Sequence, residues 1–208
     1  YGTQHLWGLS GLITTLKWQT YLAGAIRDLD PESKIASGGG LATQFRERLF
    51  EWIPELDAVG HSEGDDIIVQ MAFDAKQGRM QDVYHGSRPA DLDALPLPAW
   101  HLVQNIEDYI KAPVWGGAAG NSSETPFTME RSLNTVSSRG CPFACKFCFR
   151  GAQGERNYGV RSAENLAAEM SWLVERYGCD FIGIVDDNFM VQPKRLAALP
   201  AVLPPVAW

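Results

Sequence analysis

Three of the four cysteines in this 208-residue chain fall within one short stretch, Cys141, Cys145 and Cys148. Three and then two residues separate them, and Phe147 stands just before the last. Thiolates spaced this closely in one loop can bind a single small inorganic centre, either an iron–sulfur cluster or zinc. Structural zinc sites are usually closed by four protein ligands in paired motifs, and the sequence has no second pair. A [4Fe–4S] cluster held by three cysteines leaves one iron open to a substrate, which predicts a catalytic centre.

Two other interpretations of this loop stay open. The three cysteines can be buried structural side chains, or they can form a zinc knuckle whose fourth ligand is not recognisable. The remaining cysteine, Cys179, stands apart from the loop, just before an apolar run. We expect it to be a small buried side chain with no role as a ligand.

The pattern Cys-x-x-x-Cys-x-Phe-Cys, with Arg139-Gly140 in front of it, resembles the signature of the radical S-adenosylmethionine (SAM) enzymes. The resemblance implies a [4Fe–4S] cluster whose open iron chelates the amino and carboxylate groups of SAM, with Phe147 among the cofactor-binding residues. In that family an electron from the cluster cleaves SAM to a 5′-deoxyadenosyl radical, which abstracts hydrogen from unactivated carbon. It further implies an electron donor such as flavodoxin or ferredoxin, and a small-molecule substrate.

Composition indicates a globular protein, with 45% apolar residues and seven tryptophans to fill cores. The net charge of −7 provides no basic field that would favour nucleic acid. Apolar runs stay below the roughly 20 residues needed to cross a bilayer, which predicts a soluble protein without a membrane span. Clustered cysteines and the lack of a visible signal peptide favour a reducing, cytoplasmic compartment. Because the chain opens on Tyr1 and stops at Trp208, we expect a fragment of a longer protein.

Residues 1–78 alternate short apolar runs with amphipathic stretches in the order βαβαβα. The predicted strands are His5–Ile13, Lys34–Ser37 and Asp57–His61. The first helix is expected to bury a stripe of Trp18, Leu22, Ala25, Ile26 and Leu29. Strands that alternate with helices in this way predict an α/β fold with a doubly wound parallel sheet.

Ligands of such sheets sit at the carboxyl ends of the strands, where Ser10, Gly38, Gly39 and Gly40 are expected. Glycine lets a backbone approach a ligand closely, although ordinary strand-to-helix turns explain these residues equally well. The order of these segments before the cysteine loop resembles the Rossmann-like cobalamin-binding domain of one large radical SAM subgroup. The resemblance implies a corrinoid bound at these four residues. In that subgroup a further loop carries a histidine that can replace the lower ligand of cobalamin, and this loop would lie before Tyr1.

Residues 79–131 are punctuated by prolines and predict a linker between two domains. The run from Asp91 to Trp100 is similar to the connector of the same subgroup. A plain surface linker explains this run as well.

Residues 132–208 predict the first units of a partial (β/α) TIM-like barrel, cut off after its third strand begins. The strand Ser132–Ser137 would deliver the cysteine loop. A helix capped by Ser162, a strand over Phe181–Val185, a helix over Pro193–Leu199 and a strand from Pro205 would follow.

Two further groups near the loop are candidates for cofactor contacts. Asp186 and Asp187 follow the second strand, where the radical SAM resemblance implies a contact with the methionine amino group of SAM, and a turn or helix cap is the alternative. Five cations offset the cluster charge or belong to a solvated loop, namely Arg139, Lys146, Arg150, Arg156 and Arg161.

The function that these resemblances imply is a radical SAM enzyme with cobalamin, which transfers methyl groups or forms rings at unactivated carbon. Two alternatives are a methylthiotransferase-like radical enzyme and a non-enzymatic iron–sulfur electron-transfer module. The first typically brings further cysteines upstream, and the second usually has four cysteine ligands.

Overall fold

A computed structural model describes residues 4–112, 127–148 and 157–208. The chain divides into two compact units, Tyr1–Pro89 and Ala90–Trp208. In the part of the chain that is described, no helix is both long and apolar enough to span a membrane.

The first unit is built on a parallel sheet whose strands lie in the order β1-β2-β3-β4. The strands are β1 (Leu6–Ser10), β2 (Lys34–Gly38), β3 (Ala58–His61) and β4 (Val83–His85). The helices between them are α1 (Leu16–Leu29), α2 (Gly39–Phe45), α3 (Leu49–Trp52) and α4 (Asp65–Gln77). Ser10 lies opposite Gly38 in the register, so β1 and β2 end at the same edge.

Helices cover both faces of this sheet. Ile35 of β2 and Val59 of β3 share one core with α1, α2 and α3. Their neighbours in sequence, Ala36 and Ala58, point to the opposite face and pack with Met71 of α4. Because successive strand residues face opposite sides, each central strand contributes to both cores. This is the α/β fold with a parallel sheet that the sequence predicts.

The buried face of α1 differs from the predicted stripe. Trp18 and Leu29 are 60% and 86% exposed, whereas the buried residues of the helix are Gln19, Ala23 and Ile26. Gln19 can be buried because its Nε2 donates to Thr15 Oγ1 at 3.0 Å and its Oε1 accepts from Ser37 Oγ at 3.4 Å. A polar side chain with partners costs little to bury, and apolar periodicity cannot reveal those partners.

A carboxylate network holds α1 to the sheet. Asp57 accepts from Arg27 at 2.7 Å, from Lys34 at 2.9 Å and from the Ile35 amide at 2.9 Å. Burial raises the pKa of this carboxyl. The bonds from Lys34, Arg27 and the amide of Ile35 outweigh burial and hold the pKa of Asp57 below its ordinary value.

The second unit contains a parallel strand pair, β5 (Ser132–Thr135) and β8 (Phe181–Ile184). A short antiparallel pair, β6 (Ser138–Gly140) and β7 (Tyr158–Val160), lies between them in the chain. The helices of the unit are α5 (Ile106–Lys111), α6 (Ala163–Tyr177) and α7 (Pro193–Val202). Ala207 forms a parallel bridge with Phe181, where the sequence predicts a third strand to begin.

One core joins these elements. Its fully buried apolar side chains are Ile110, Leu166, Met170, Leu173 and Ile182. Helix α6 also begins where the sequence predicts, because Ser162 Oγ accepts from the Asn165 amide at 3.0 Å.

The predicted linker, residues 79–131, is partly built into the two units. Strand β4 joins the first sheet, and Ile110 of α5 is buried in the second core. Asp93 Oδ1 also accepts from the Ser162 amide at 2.8 Å, which fixes the connector to the start of α6. A three-residue strand is too short to show a period, and proline punctuation does not reveal packing, so the sequence alone indicated only a linker. Residues 113–126 of this segment lie outside the described ranges.

Candidate functional site

The base of the cysteine loop is fixed by one carboxylate. Strand β5 ends at Thr135, two residues before the predicted end of the strand. Asp186, just after β8, accepts from the amides of Ser137 at 2.7 Å and Ser138 at 3.0 Å through Oδ1. Its Oδ2 accepts from both serine hydroxyls at 2.6 Å. Because Asp186 takes the amides that a neighbouring strand would otherwise bind, the chain turns here and begins β6.

Gly140 sets the direction in which the chain enters the loop. Its φ is +79°, in the left-handed region that favours glycine, and its amide donates to Asp187 Oδ2 at 3.1 Å. The chain therefore reaches Cys141 from a left-handed backbone position that a carboxylate holds. This is a physical reason for a glycine directly before the first cysteine.

The three loop cysteines follow at once, with different exposure. Cys141 and Cys148 are half-buried and Cys145 is exposed, and a turn joins the last two through a 3.0 Å bond from Cys148 N to Cys145 O. Phe147 is 93% exposed. Among residues 4–112, 127–148 and 157–208, no three His, Cys, Asp or Glu side chains are close enough together to hold a metal ion. The thiols therefore have to turn toward one another when a metal centre binds.

Cys179 has the environment expected of a structural residue. It is 3% exposed and packs in the core of the second unit. Burial raises the pKa of its thiol to about 11, so the thiolate form that binds metals is disfavoured.

Asn188 reaches the first loop cysteine from the end of β8. Its Nδ2 lies 3.8 Å from Cys141 Sγ, within hydrogen-bond range of a sulfur atom. Together with Asp186 and Asp187, it forms a run that contacts the loop residues from Ser137 to Cys141. Sequence reasoning found the run Asp186-Asp187-Asn188 but predicted neither the contact of Asn188 with Cys141 nor the serine partners of Asp186, although hydroxyl residues before the loop were a signal for a carboxylate partner.

One of the five cations that the sequence places near the loop, Arg161, takes part in structural contacts. Arg161 forms an ion pair with Glu169 on α6, and both side chains are largely buried. Its backbone amide donates to Ser137 O at 3.0 Å, so Arg161 helps to hold the base of the loop. The expectation that Arg161 offsets cluster charge is therefore replaced by a structural role. Arg150 and Arg156 lie outside the described residues.

A cavity of about 370 Å³ lies beside β5 in the second unit. Residues of its wall include Leu92, Trp100, Asn134, Val136, Ser138 and Arg139. Cavities of this size, with apolar walls and a few polar groups, are typical of small-molecule sites. Its position beside Ser138 and Arg139 places it next to the start of the cysteine loop.

The candidate corrinoid residues meet at the carboxyl edge of the first sheet. Ser10 ends β1 and Gly38 ends β2, opposite each other. A Cβ on Gly39 would lie 2.6 Å from Ser10 Oγ, and the φ of Gly39 is +75°. A Cβ on Gly40 would lie 2.9 Å from Leu12 Cδ2, whereas one on Gly38 would meet nothing within 4 Å. The left-handed backbone of Gly39 thus favours glycine, the end of the exposed Leu12 side chain can move aside for a Cβ on Gly40, and Gly38 faces open space.

Comparison with known families agrees with the cysteine loop. Residues 135–203 match the model of the radical SAM superfamily, which covers β6, the loop, α6, β8 and α7. This part of the chain is therefore similar to the radical SAM superfamily. The likeness implies an enzyme with a [4Fe–4S] cluster and SAM as cofactors.

Curated relatives extend the likeness into the first unit. An uncharacterized methyltransferase of Pyrococcus horikoshii is 25% identical over 88% of the chain and 39% of its own length. Cytidylyl-2-hydroxyethylphosphonate methyltransferase of Streptomyces wedmorensis is 26% identical over 76% of the chain and 35% of its own length. TokK of Streptomyces tokunonensis, a cobalamin-dependent radical SAM methyltransferase, is 23% identical over 90% of the chain and 28% of its own length. The chain thus spans little more than a third of the first two relatives.

The donor set of the cysteine loop fits the cluster that the family match implies. Thiolate is the usual ligand of iron–sulfur clusters, and the three loop thiols come from eight consecutive residues entered from a fixed glycine. The buried Cys179 thiol does not compete with them.

Proposed function

We propose that this chain is the cluster-bearing part of an enzyme that reductively cleaves SAM, in which Cys141, Cys145 and Cys148 ligate a [4Fe–4S] cluster. The observation that carries the proposal is the attachment of the cysteine loop to the end of β8 through Asp186 and Asp187. Parallel strands bring functional groups together at their carboxyl ends, as (β/α) barrels do. The cluster, when bound, supplies the electron that breaks the S–C bond of SAM.

The residues of the chain orient the cofactors in this proposal. Asp186 holds the base of the loop through Ser137 and Ser138, and Asp187 holds Gly140. Both carboxylates stay candidates for contact with the methionine ammonium group, and Asp187 is the more exposed of the two. The ring of Phe147 is exposed beside the last ligand, where it can contact SAM.

The reaction class that the relatives favour is methyl transfer to an unactivated carbon or phosphorus centre of a small molecule, with ring formation as the related alternative. All three relatives described above are named as methyltransferases. The cavity beside β5 supports a small-molecule substrate. A partial (β/α) barrel is the architecture we infer for the second unit, and flavodoxin or ferredoxin is the class of electron donor.

Anaerobic reconstitution of the intact protein with iron and sulfide tests the proposal. We expect about four irons per chain and a reduced cluster whose electron paramagnetic resonance (EPR) spectrum changes when SAM is added. Reduction in the presence of SAM should release 5′-deoxyadenosine and methionine. A cluster whose spectrum is indifferent to SAM would instead indicate an electron-transfer module, and zinc bound without iron uptake would indicate a structural site.

We also infer that the first unit binds a corrinoid at the edge formed by Ser10, Gly38, Gly39 and Gly40, as a Rossmann-like cobalamin domain would. A flat macrocycle needs close backbone approach, which glycines permit. The likeness to a relative named as cobalamin-dependent supports this, since it covers 90% of the chain.

Gly38→Val is the variant that tests the corrinoid site. Its side chain enters open space at the edge, so the unit should fold while the Kd for cobalamin rises about tenfold, a loss of about 1.4 kcal/mol. Equilibrium binding of cobalamin, followed by its absorption spectrum, measures this, with the cluster content as an internal reference. Gly24→Ala on α1 is the matched control, because its Cβ also meets nothing within 4 Å. A Gly38→Val protein that binds cobalamin as tightly as the Gly24→Ala control and the wild type would remove Gly38 from the site.

A further inference from the structure

We propose that Asn188 is a positioning residue that donates a hydrogen bond to the Cys141 ligand and thereby raises the reduction potential of the cluster. The inference rests on the proposed function, in which Cys141 binds the cluster. It concerns a residue that holds no cofactor itself and that acts through the sulfur atom of Cys141.

The orientation of the Asn188 amide is decided by a second contact. Its Oδ1 accepts from the backbone amide of Met190 at 3.2 Å, as the cap of the turn over 189–191. The oxygen and nitrogen of an amide occupy similar positions, and hydrogen-bond partners tell them apart. Because the oxygen faces an N–H donor, the NH₂ group is the end that faces Cys141 Sγ.

The backbone of Asn188 is held as well. Its carbonyl oxygen accepts from the Tyr158 hydroxyl at 3.3 Å and lies 3.5 Å from Ser138 Oγ, whose single proton goes to Asp186. Ser138 is at the same time fixed by Asp186, and Tyr158 pairs with Gly140 between β6 and β7. The Asn188 amide and the backbone that leads to Cys141 are therefore anchored to the same strands, so the donor is held beside this cysteine without a cluster.

A donor placed at a ligand sulfur favours the form of the cluster with more negative charge. Reduction adds an electron, part of which resides on the sulfur ligands, so the N–H bond to Cys141 strengthens in the reduced state. Hydrogen bonds to sulfur are among the factors that set iron–sulfur potentials. Removing the donor should therefore make the reduced form harder to reach.

Asn188→Ser in the intact, reconstituted protein tests the inference. Serine keeps an oxygen that can accept from the Met190 amide, as serine does at helix starts, but it is too short to reach Cys141 Sγ. We expect the equilibrium constant for reduction to fall about tenfold, a shift of about 59 mV to more negative potential for a one-electron couple. A redox titration followed by EPR measures the potential independently of any catalytic activity.

Two further variants separate the donor from general loosening. Tyr158→Phe removes a bond to the Asn188 backbone and leaves the amide, so the potential should stay near the wild-type value. Asn188→Asp keeps the shape and the cap but replaces the donor by a negative acceptor, so the potential should fall further than in Asn188→Ser. Asn188→Asp also replaces Asn188→Ser as the test if the serine variant does not fold.

The outcomes distinguish this inference from the proposed function. A wild-type protein that assembles no cluster overturns the proposed function, and this inference falls with it. A loaded wild-type protein whose potential equals that of the Asn188 variants overturns this inference alone. A shift in Tyr158→Phe as large as that in Asn188→Ser would assign the effect to loosening of the loop, and would also overturn it.

Discussion

Replacement of any one of Cys141, Cys145 and Cys148 by alanine should abolish the iron–sulfur cluster of the reconstituted protein. The loop has three sulfur donors, and each is expected to bind one iron of the cluster while the fourth iron is left for SAM. With only two thiolates, two irons would lack a protein ligand and the cluster would not be retained. We expect the brown colour, the bound iron and the EPR signal of the reduced cluster to disappear together. Iron and sulfide analysis after desalting measures the loss.

Cys179→Ala is the control for that series. The Cys179 side chain is buried in the core of the second unit, so its truncation leaves a small cavity that costs about 1 kcal/mol of unfolding free energy. The cluster content should stay at the wild-type level. Loss of iron in Cys179→Ala, or retention of a stable cluster in any single variant of the loop, would contradict the ligand assignment.

Asp186→Ala should lower both the stability of the second unit and its cluster content. The variant leaves the amides and hydroxyls of Ser137 and Ser138 without their hydrogen-bond acceptor, and both residues are at most 1% exposed. Buried donors without partners are expensive, and we expect a loss of about 3 kcal/mol in the free energy of unfolding. The residues that precede the cysteine loop would then no longer be held in position. Denaturant unfolding and iron analysis measure the two effects separately.

Asp180→Ala is the matched comparison for Asp186. Asp180 stands just before β8, and it likewise accepts hydrogen bonds from neighbouring groups, including the amides of Glu130 at 3.2 Å and Arg131 at 3.0 Å. We expect this variant to lose stability and to keep its cluster. If the two variants lose the same amount of bound iron for each kcal/mol of unfolding free energy lost, Asp186 has no specific action on the loop.

The sequence was most informative where the pattern was local. The three cysteines in the loop, the α6 cap at Ser162 and the strand that ends before Asp186 can all be found within short windows. Apolar periodicity also placed α1, α4 and α6, because long amphipathic helices repeat their signal over several turns.

The parts that were missed depend on partners distant in sequence. The buried face of α1 includes Gln19 because Ser37 and Thr15 satisfy it, and the strand β4 exists because β3 offers it hydrogen bonds. In the site, the sequence shows that Asp186 follows a strand, but not that Ser137 and Ser138 occupy both of its oxygens. The Asp186 pairings join residues 49 and 48 positions apart, and partners at that separation leave no local periodicity in the sequence.

The hydrogen bond from the Ser162 amide to Asp93 has a consequence for how the protein can be shortened. In sequence, the radical SAM match begins at residue 135, which suggests that a truncated form could start there. In space, such a form would remove the partner of the first turn of α6 and would also expose the core around the missing Ile110. A shortened form that keeps these contacts therefore has to include Asp93 and Ile110, and the compact unit begins at Ala90, so the start of the family match and the start of the compact unit are different places in the chain.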